Sequence, residues 1–215
     1  MPKLNETQQE ARRTRILDAA EACFARNGFH RTIMQDIRRE AGVSAGAIYV
    51  YFDSKEALIE GFSSRERGMV LEAFDQLADA PDFMQALAGV MQDVILRQPR
   101  HKSVIWMELA TEATRNPAIQ ATQQACQTQI REALTSLIER AQQAGRIAPV
   151  VPVPDIVAAM EVVAEGLFCR RAAEENFDAA TTAQTILAML ASLIRPVATP
   201  ELQPSEIRAA IPESA

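Results

Sequence analysis

Apolar residues recur at intervals of three and four along almost the whole chain, and alternation at period two is nearly absent. Such spacing sets one face of a helix against a core, so it predicts an all-α fold of about nine helices. The first helix carries Ile16, Leu17, Ala20, Cys23 and Phe24 as its inward stripe, with Thr7 and Glu10 in a capping-box pattern at its start. Asn27-Gly28 ends it, because Gly28 tolerates a left-handed backbone. The second helix takes Thr32 as N-cap, sets Ile33, Met34, Ile37 and Ala41 on one face, and stops at Gly42. A short third helix follows Ser44, whose side chain is expected to accept from the next turn's free amides, and runs to about Tyr51.

A long fourth helix begins near Asp53-Ser54 and carries Leu58, Ile59, Phe62, Met69, Val70 and Phe74. The fifth spans Phe83 to about Gln98, closed by Pro99. The sixth, about Ser103 to Arg115, is apolar nearly all round and therefore belongs inside a bundle. Asn116-Pro117 opens the seventh, which ends at Gly145, and the proline-rich RIAPVVPVPD is too stiff for helix. The eighth covers about Asp155 to Glu174 and the ninth about Ala179 to Ile194. Residues 196–215 hold four of the eleven prolines and read as a loosely held tail.

Composition changes this picture in only a few ways. Hydrophobic residues at 48% and charged residues at 23% suit a globular protein with a sizeable core. No apolar run approaches the ~18 residues that span a bilayer, so no membrane partner is expected. The polar start MPKLNETQQEARRTR lacks the apolar stretch of a secretion leader. Cys23, Cys126 and Cys169 are scattered, which points to a reducing cytoplasm. With His30 and His101 isolated as well, neither a metal nor a cofactor is expected. The net charge of −6 is uneven: residues 1–67 carry +1 and the remainder −7, so only the N-terminal head is suited to an anion.

The stretch AGVSAGAIYVYF, residues 41–52, bears two readings. Gly42-Val43-Ser44-Ala45-Gly46 matches G-x-S-x-G, the turn that presents a hydrolase serine. That chemistry needs a strand before Ser44 and a histidine after it, but the preceding spacing is helical and His101 is the only downstream histidine. The other reading is a helix-turn-helix, with Ala45, Gly46 and Tyr49 on the outward face of the third helix. Ser44 is then a cap, and the hydroxyls of Thr32 and Tyr51, with Lys55, stand where phosphates are held. Gln35 and Arg31 join Tyr49 as the polar readers, since Ala45, Gly46, Ala47 and Val50 carry no side-chain donors. A DNA-independent helical interaction module is the remaining alternative; no catalytic residues are assigned.

The segment from Arg15 to Phe62 resembles the DNA-binding domain of the TetR family of bacterial regulators. Gly42, Val43, Ser44, Gly46, Tyr49, Tyr51, Phe52, Lys55 and Leu58 meet its G-V-S-x-G-x-x-Y-x-Y-F-x-x-K-x-x-L pattern in full. The resemblance implies a homodimer bound to a palindromic operator through its heads, with a body that takes a small-molecule effector and usually a repressor's sign. It divides the chain into a DNA-binding domain at 1–53, a ligand-binding and dimerisation domain at 54–195, and the tail at 196–215. Two residues depart from the family: Arg38 stands where alanine is usual, and Ile33 replaces a common second threonine.

Helices eight and nine carry apolar residues over more than one face, a surplus that a second copy would cover. Phe83, Met91, Trp106, Met107, Met160 and Phe168 are the candidate effector contacts. Aromatics at 5% disfavour a flat polyaromatic ligand, and methionines suit an adaptable aliphatic one. Glu108 and Glu112, one turn apart, either greet a cationic ligand or pair with Arg115 at the surface, the surface pairing being preferred. Effector binding is expected to shift the fourth helix, continuous with Lys55, and so to spread the two heads.

Overall fold

A computed structural model describes residues 5–78 and 80–197. Among them are α1 (Glu6–Arg31), α2 (Met34–Ala41), α3 (Ala45–Tyr51), α4 (Lys55–Ala78) and α5 (Phe83–Met91). A single π-helical turn (Gln92–Leu96) follows, then α6 (Arg100–Ala113), α7 (Pro117–Gln143), α8 (Val153–Ala173) and α9 (Ala179–Ile194). The expected fifth helix therefore changes hydrogen-bond register at Gln92 instead of running on to Gln98. The tail expected at 196–215 lies outside the described residues except for Pro196 and Val197.

Capping differs from expectation at two starts. Asn5, not Thr7, caps α1: its side chain accepts from the Gln8 N–H at 2.8 Å, while Gln8 Oε1 accepts from the Asn5 N–H at 3.2 Å. Ile33, not Thr32, occupies the N-cap position of α2, and Asp36 Oδ2 accepts from its backbone N–H at 3.3 Å. Ile33 was expected on the buried face and is 56% exposed, because a residue outside the first turn points away from the α2 stripe. Gly28 breaks α1 as expected, with φ 74° and ψ 167°, a backbone for which a Cβ is a burden.

Two cores hold the bundle. One joins Ile16, Ala20, Phe24 and Phe29 of α1 to Ile37, Ile48, Phe52, Leu58 and Phe62, and continues into Ile105 and Leu109 of α6 and Ile119 of α7. The other packs Phe74, Leu77, Phe83, Leu137, Ile138, Ile156 and Ile194. Helix α6 lies against α1, α7 and α8, the central place its apolar circumference predicts, and α4 lies along α7. The proline-rich connector runs beside the end of α9, where the Ala148 and Val150 N–H groups donate to the carbonyls of Ile194 and Leu193.

Candidate nucleic-acid interface and effector cavity

The α2–α3 turn closes through the Gly42 N–H donating to Arg39 O at 3.2 Å and the Val43 N–H to Arg38 O at 3.3 Å. Gly42 takes φ 62° to make this possible. Arg38 is half-buried and its carbonyl serves the turn. Ile48 and Val43 are buried in the head, so α3 turns Ser44, Ala45, Gly46, Tyr49 and Val50 outward, with Tyr49 55% and Val50 80% exposed. Arg31 and Gln35 are exposed beside them, and Tyr51 is half-buried against the head core. Gly46 has a helical backbone, and a Cβ there would meet nothing within 4 Å. Nothing within the chain itself calls for glycine at this position.

The helical segment before Ser44 and the absence of any strand among the described residues overturn the hydrolase reading. Ser44 holds the N-cap position, its carbonyl accepting from the Ala47 and Ile48 N–H groups at 3.0 and 3.4 Å. Its hydroxyl, however, makes no capping bond, contrary to expectation, and stays exposed.

The hydroxyl of Thr32 and the ammonium of Lys55, both expected at phosphates, bond inside the head. Thr32 is fully buried, and its hydroxyl donates to Gly28 O at 2.8 Å and Cys23 O at 3.2 Å, tying the α1–α2 turn down. Lys55 Nζ donates to Phe29 O at 2.9 Å and Thr32 O at 3.2 Å, and lies 4.1 Å from the centre of the Phe29 ring. Both side chains face inward because the turn leaves carbonyls that only polar side chains can reach.

Sequence reasoning missed what binds this turn from the other side. Glu108 Oε2 on α6 accepts from the Phe29 N–H at 2.7 Å, and Glu112 Oε2 lies 3.0 Å from His30 Nε2. Neither carboxylate pairs with Arg115. Around α1, α4 and α6 a charged network continues: Arg65 meets Asp18 and Glu21 at 2.7 Å each, and His101 Nε2 meets Glu21 at 2.8 Å. No group of three metal-type ligands occurs among the described residues.

An apolar cavity of ≈ 220 Å³ opens in the body among α4 to α9. Of the six candidate effector contacts, Met91, Trp106, Met160 and Phe168 line it. Trp106 and Phe168 stack there at 5.5 Å between ring centres. Phe83 is instead part of the solid core, and Met107 faces a separate cleft beside Asn27–Arg31, because one step along α6 turns the side chain by about 100°. At the cavity's α7–α8 side stand Gln123, Gln127, Glu161 and Glu165; Glu161 is paired with Arg131 at 3.0 Å. Cys126 also lines it, and burial pushes its thiol above the usual range against the pull of Arg67. No helix among the described residues is long and apolar enough to cross a membrane.

Comparison with known proteins agrees with this layout. Residues 16–61 match the family described as bacterial regulatory proteins, tetR family, and residues 84–195, just over half of the chain, match the BetI-type transcriptional repressor C-terminal family. The chain is 26% identical to the HTH-type transcriptional regulator UidR of Escherichia coli K12 over 189 residues, covering 88% of this chain and 96% of UidR. It is 25% identical to the HTH-type transcriptional repressor AcnR of Corynebacterium diphtheriae over 182 residues, 83% of this chain and 90% of AcnR. The structure of Salmonella enterica GusR superposes with a TM-score of 0.76 at 28% identity, covering 90% of this chain and all of that one. With the exposed α3 face and the helical body on which it is mounted, these matches place the chain in the TetR family of bacterial helix-turn-helix transcriptional regulators.

Proposed function

We propose that this regulator is a homodimeric repressor that leaves a palindromic operator when a small apolar molecule enters the body cavity. The observation that carries the reading is the pairing, in one chain, of an outward α3 face with a largely apolar cavity walled by α6. Arg31, Gln35, Ser44, Ala45, Gly46, Tyr49 and Tyr51 form the DNA-facing set, with α3 in the major groove. The reading loses Thr32 and Lys55 as phosphate contacts and keeps them as the frame of the turn. With Ala45, Gly46 and Val50 offering only apolar surface, part of the specificity comes from DNA shape. Residues 1–53 act as the DNA-binding unit and 54–195 as the effector and dimer unit, although their packing is continuous through α6.

The dimer forms through α8 and α9. Val162 on α8 and Met189 on α9 are 69% and 56% exposed, too much apolar surface to leave in water at the centre of two long helices. The effector's class follows from the wall. Seventeen of the lining residues are aliphatic, aromatic or methionine, and among the described residues the wall holds no Lys, Arg or His. A carboxylate or phosphate would enter without a cationic partner at the wall, beside Glu161 and Glu165; an uncharged or amine-bearing aliphatic molecule needs none.

Operator anisotropy and Trp106 emission, read in one titration with aliphatic alcohols and amines, test this. One compound should change the lone tryptophan's emission and release the duplex at the same midpoint. Emission changes without release, for every compound that enters, would contradict the effector role.

A further inference from the structure

We infer that Glu108 is the residue that positions the head from the effector body, so that a change at the cavity wall reaches α2 and α3 through one carboxylate. The inference rests on the cavity being the effector site. Its ground is the order of side chains on α6. Trp106 forms part of the cavity wall, stacked on Phe168. Ile105 and Leu109, on either side, sit in the head core. Glu108, two residues from Trp106, holds the Phe29 N–H at 2.7 Å. A rotation of α6 that admits a ligand beside Trp106 therefore moves the carboxylate as well.

The receiving end is built for this contact. The carboxylate lies against Gly28, where a Cβ would stand 3.1 Å from Oε1 and 3.4 Å from Oε2. So Gly28 is favoured by its φ of 74°, and a Cβ there would also push the Glu108 carboxylate by a few tenths of an ångström. Phe29 is then gripped at both ends of its backbone: the N–H by Glu108 from α6, the carbonyl by Lys55 from α4. Its ring is buried against Phe24 at 5.8 Å, so the backbone cannot shift without the head core. Only three residues separate Phe29 from Ile33, the N-cap of α2. Two of the elements that line the cavity, α4 and α6, thus both hold the backbone of Phe29.

A tethered occupant replaces the unidentified effector in the test. In a Cys169→Ser background, hexyl methanethiosulfonate leaves a hexyl disulfide on Cys126, inside the cavity, and releases methanesulfinate. Operator affinity is measured before and after tethering, with Glu108 intact, as Glu108→Ala and as Glu108→Gln, which keeps an acceptor without the charge. Coupling of the usual size predicts that tethering weakens operator binding about tenfold with Glu108 intact, and less than about twofold in Glu108→Ala. Glu108→Gln falls between, and serves alone if the alanine variant does not fold. Glu112→Ala, one turn along the same face, should keep the full response. Equal weakening with and without Glu108 overturns the inference and leaves the cavity reading intact. No weakening in any form, with labelling of Cys126 verified by mass, overturns both.

Discussion

The ammonium of Lys55 stands 2.9 Å from the carbonyl oxygen of Phe29 and 4.1 Å from the centre of its ring. A lysine that the motif offers as a phosphate contact is thus spent inside the protein, closing the turn between α1 and α2. Lys55→Met should destabilise the head by about 1.5–3 kcal/mol, the range for hydrogen bonds to a charged group. Operator affinity should fall, yet its salt slope should stay that of the parent, because no phosphate contact is lost. A slope smaller by about one would return Lys55 to the DNA. Denaturant melts and operator titrations at several salt concentrations read the two effects separately.

Gly46 gives the opposite signature. With open space around its Cβ position and a helical backbone, Gly46→Ala should stabilise the free protein by about 0.5–1 kcal/mol. The same methyl should weaken operator binding if this face approaches the duplex closely. A variant that is more stable and binds equally well would move the contact elsewhere on α3.

Tyr49 is more than half exposed, so Tyr49→Ala should leave stability within about 0.5 kcal/mol. Its operator preference over random duplex should fall along with its affinity. Competition binding with the two duplexes, at fixed salt, measures that ratio.

Inside the head the tolerance is smaller. A Cβ on Gly61 would stand 2.8 Å from Phe52 Cε1 and 3.1 Å from Leu17 Cδ2, in a region with buried neighbours on both sides. Gly61→Ala should cost about 1–3 kcal/mol by overpacking, visible in a thermal melt.

Thiol chemistry reports on the cavity. Cys169 is exposed, Cys126 half-buried in the cavity wall and Cys23 fully buried. Burial raises the Cys126 and Cys23 thiols, so less thiolate is present at neutral pH. Alkylation should therefore run in the order Cys169, Cys126, Cys23, with the Cys126 rate still climbing above the pH at which an ordinary thiol levels off. A cavity ligand should protect Cys126 and leave Cys169 unchanged, as mass spectrometry of the labelled peptides would show.

How much of this was legible in the sequence depends on how local each contact is. Helix periodicity and the glycine stops at Gly28 and Gly42 act within a few residues, and they emerge where the pattern puts them. Thr32 misleads because its hydroxyl has a competing acceptor one turn back, Gly28 O, which a linear reading does not weigh against capping. Phe83 and Met107 are as apolar as Trp106, and only the three-dimensional packing sorts wall from core. The Glu108–Phe29 bond joins positions 79 apart, with no local signal beyond a carboxylate on an otherwise apolar helix. That misplaced charge was the one clue available.

Selecting duplexes from a random pool with the full-length protein, then footprinting the winner, tests the central claim most directly. The account predicts two inverted half-sites about one helical turn apart (~34–36 Å), bound by a dimer and protected in the major groove. Recovery of no sequence above background, with duplex binding indifferent to salt, would contradict it.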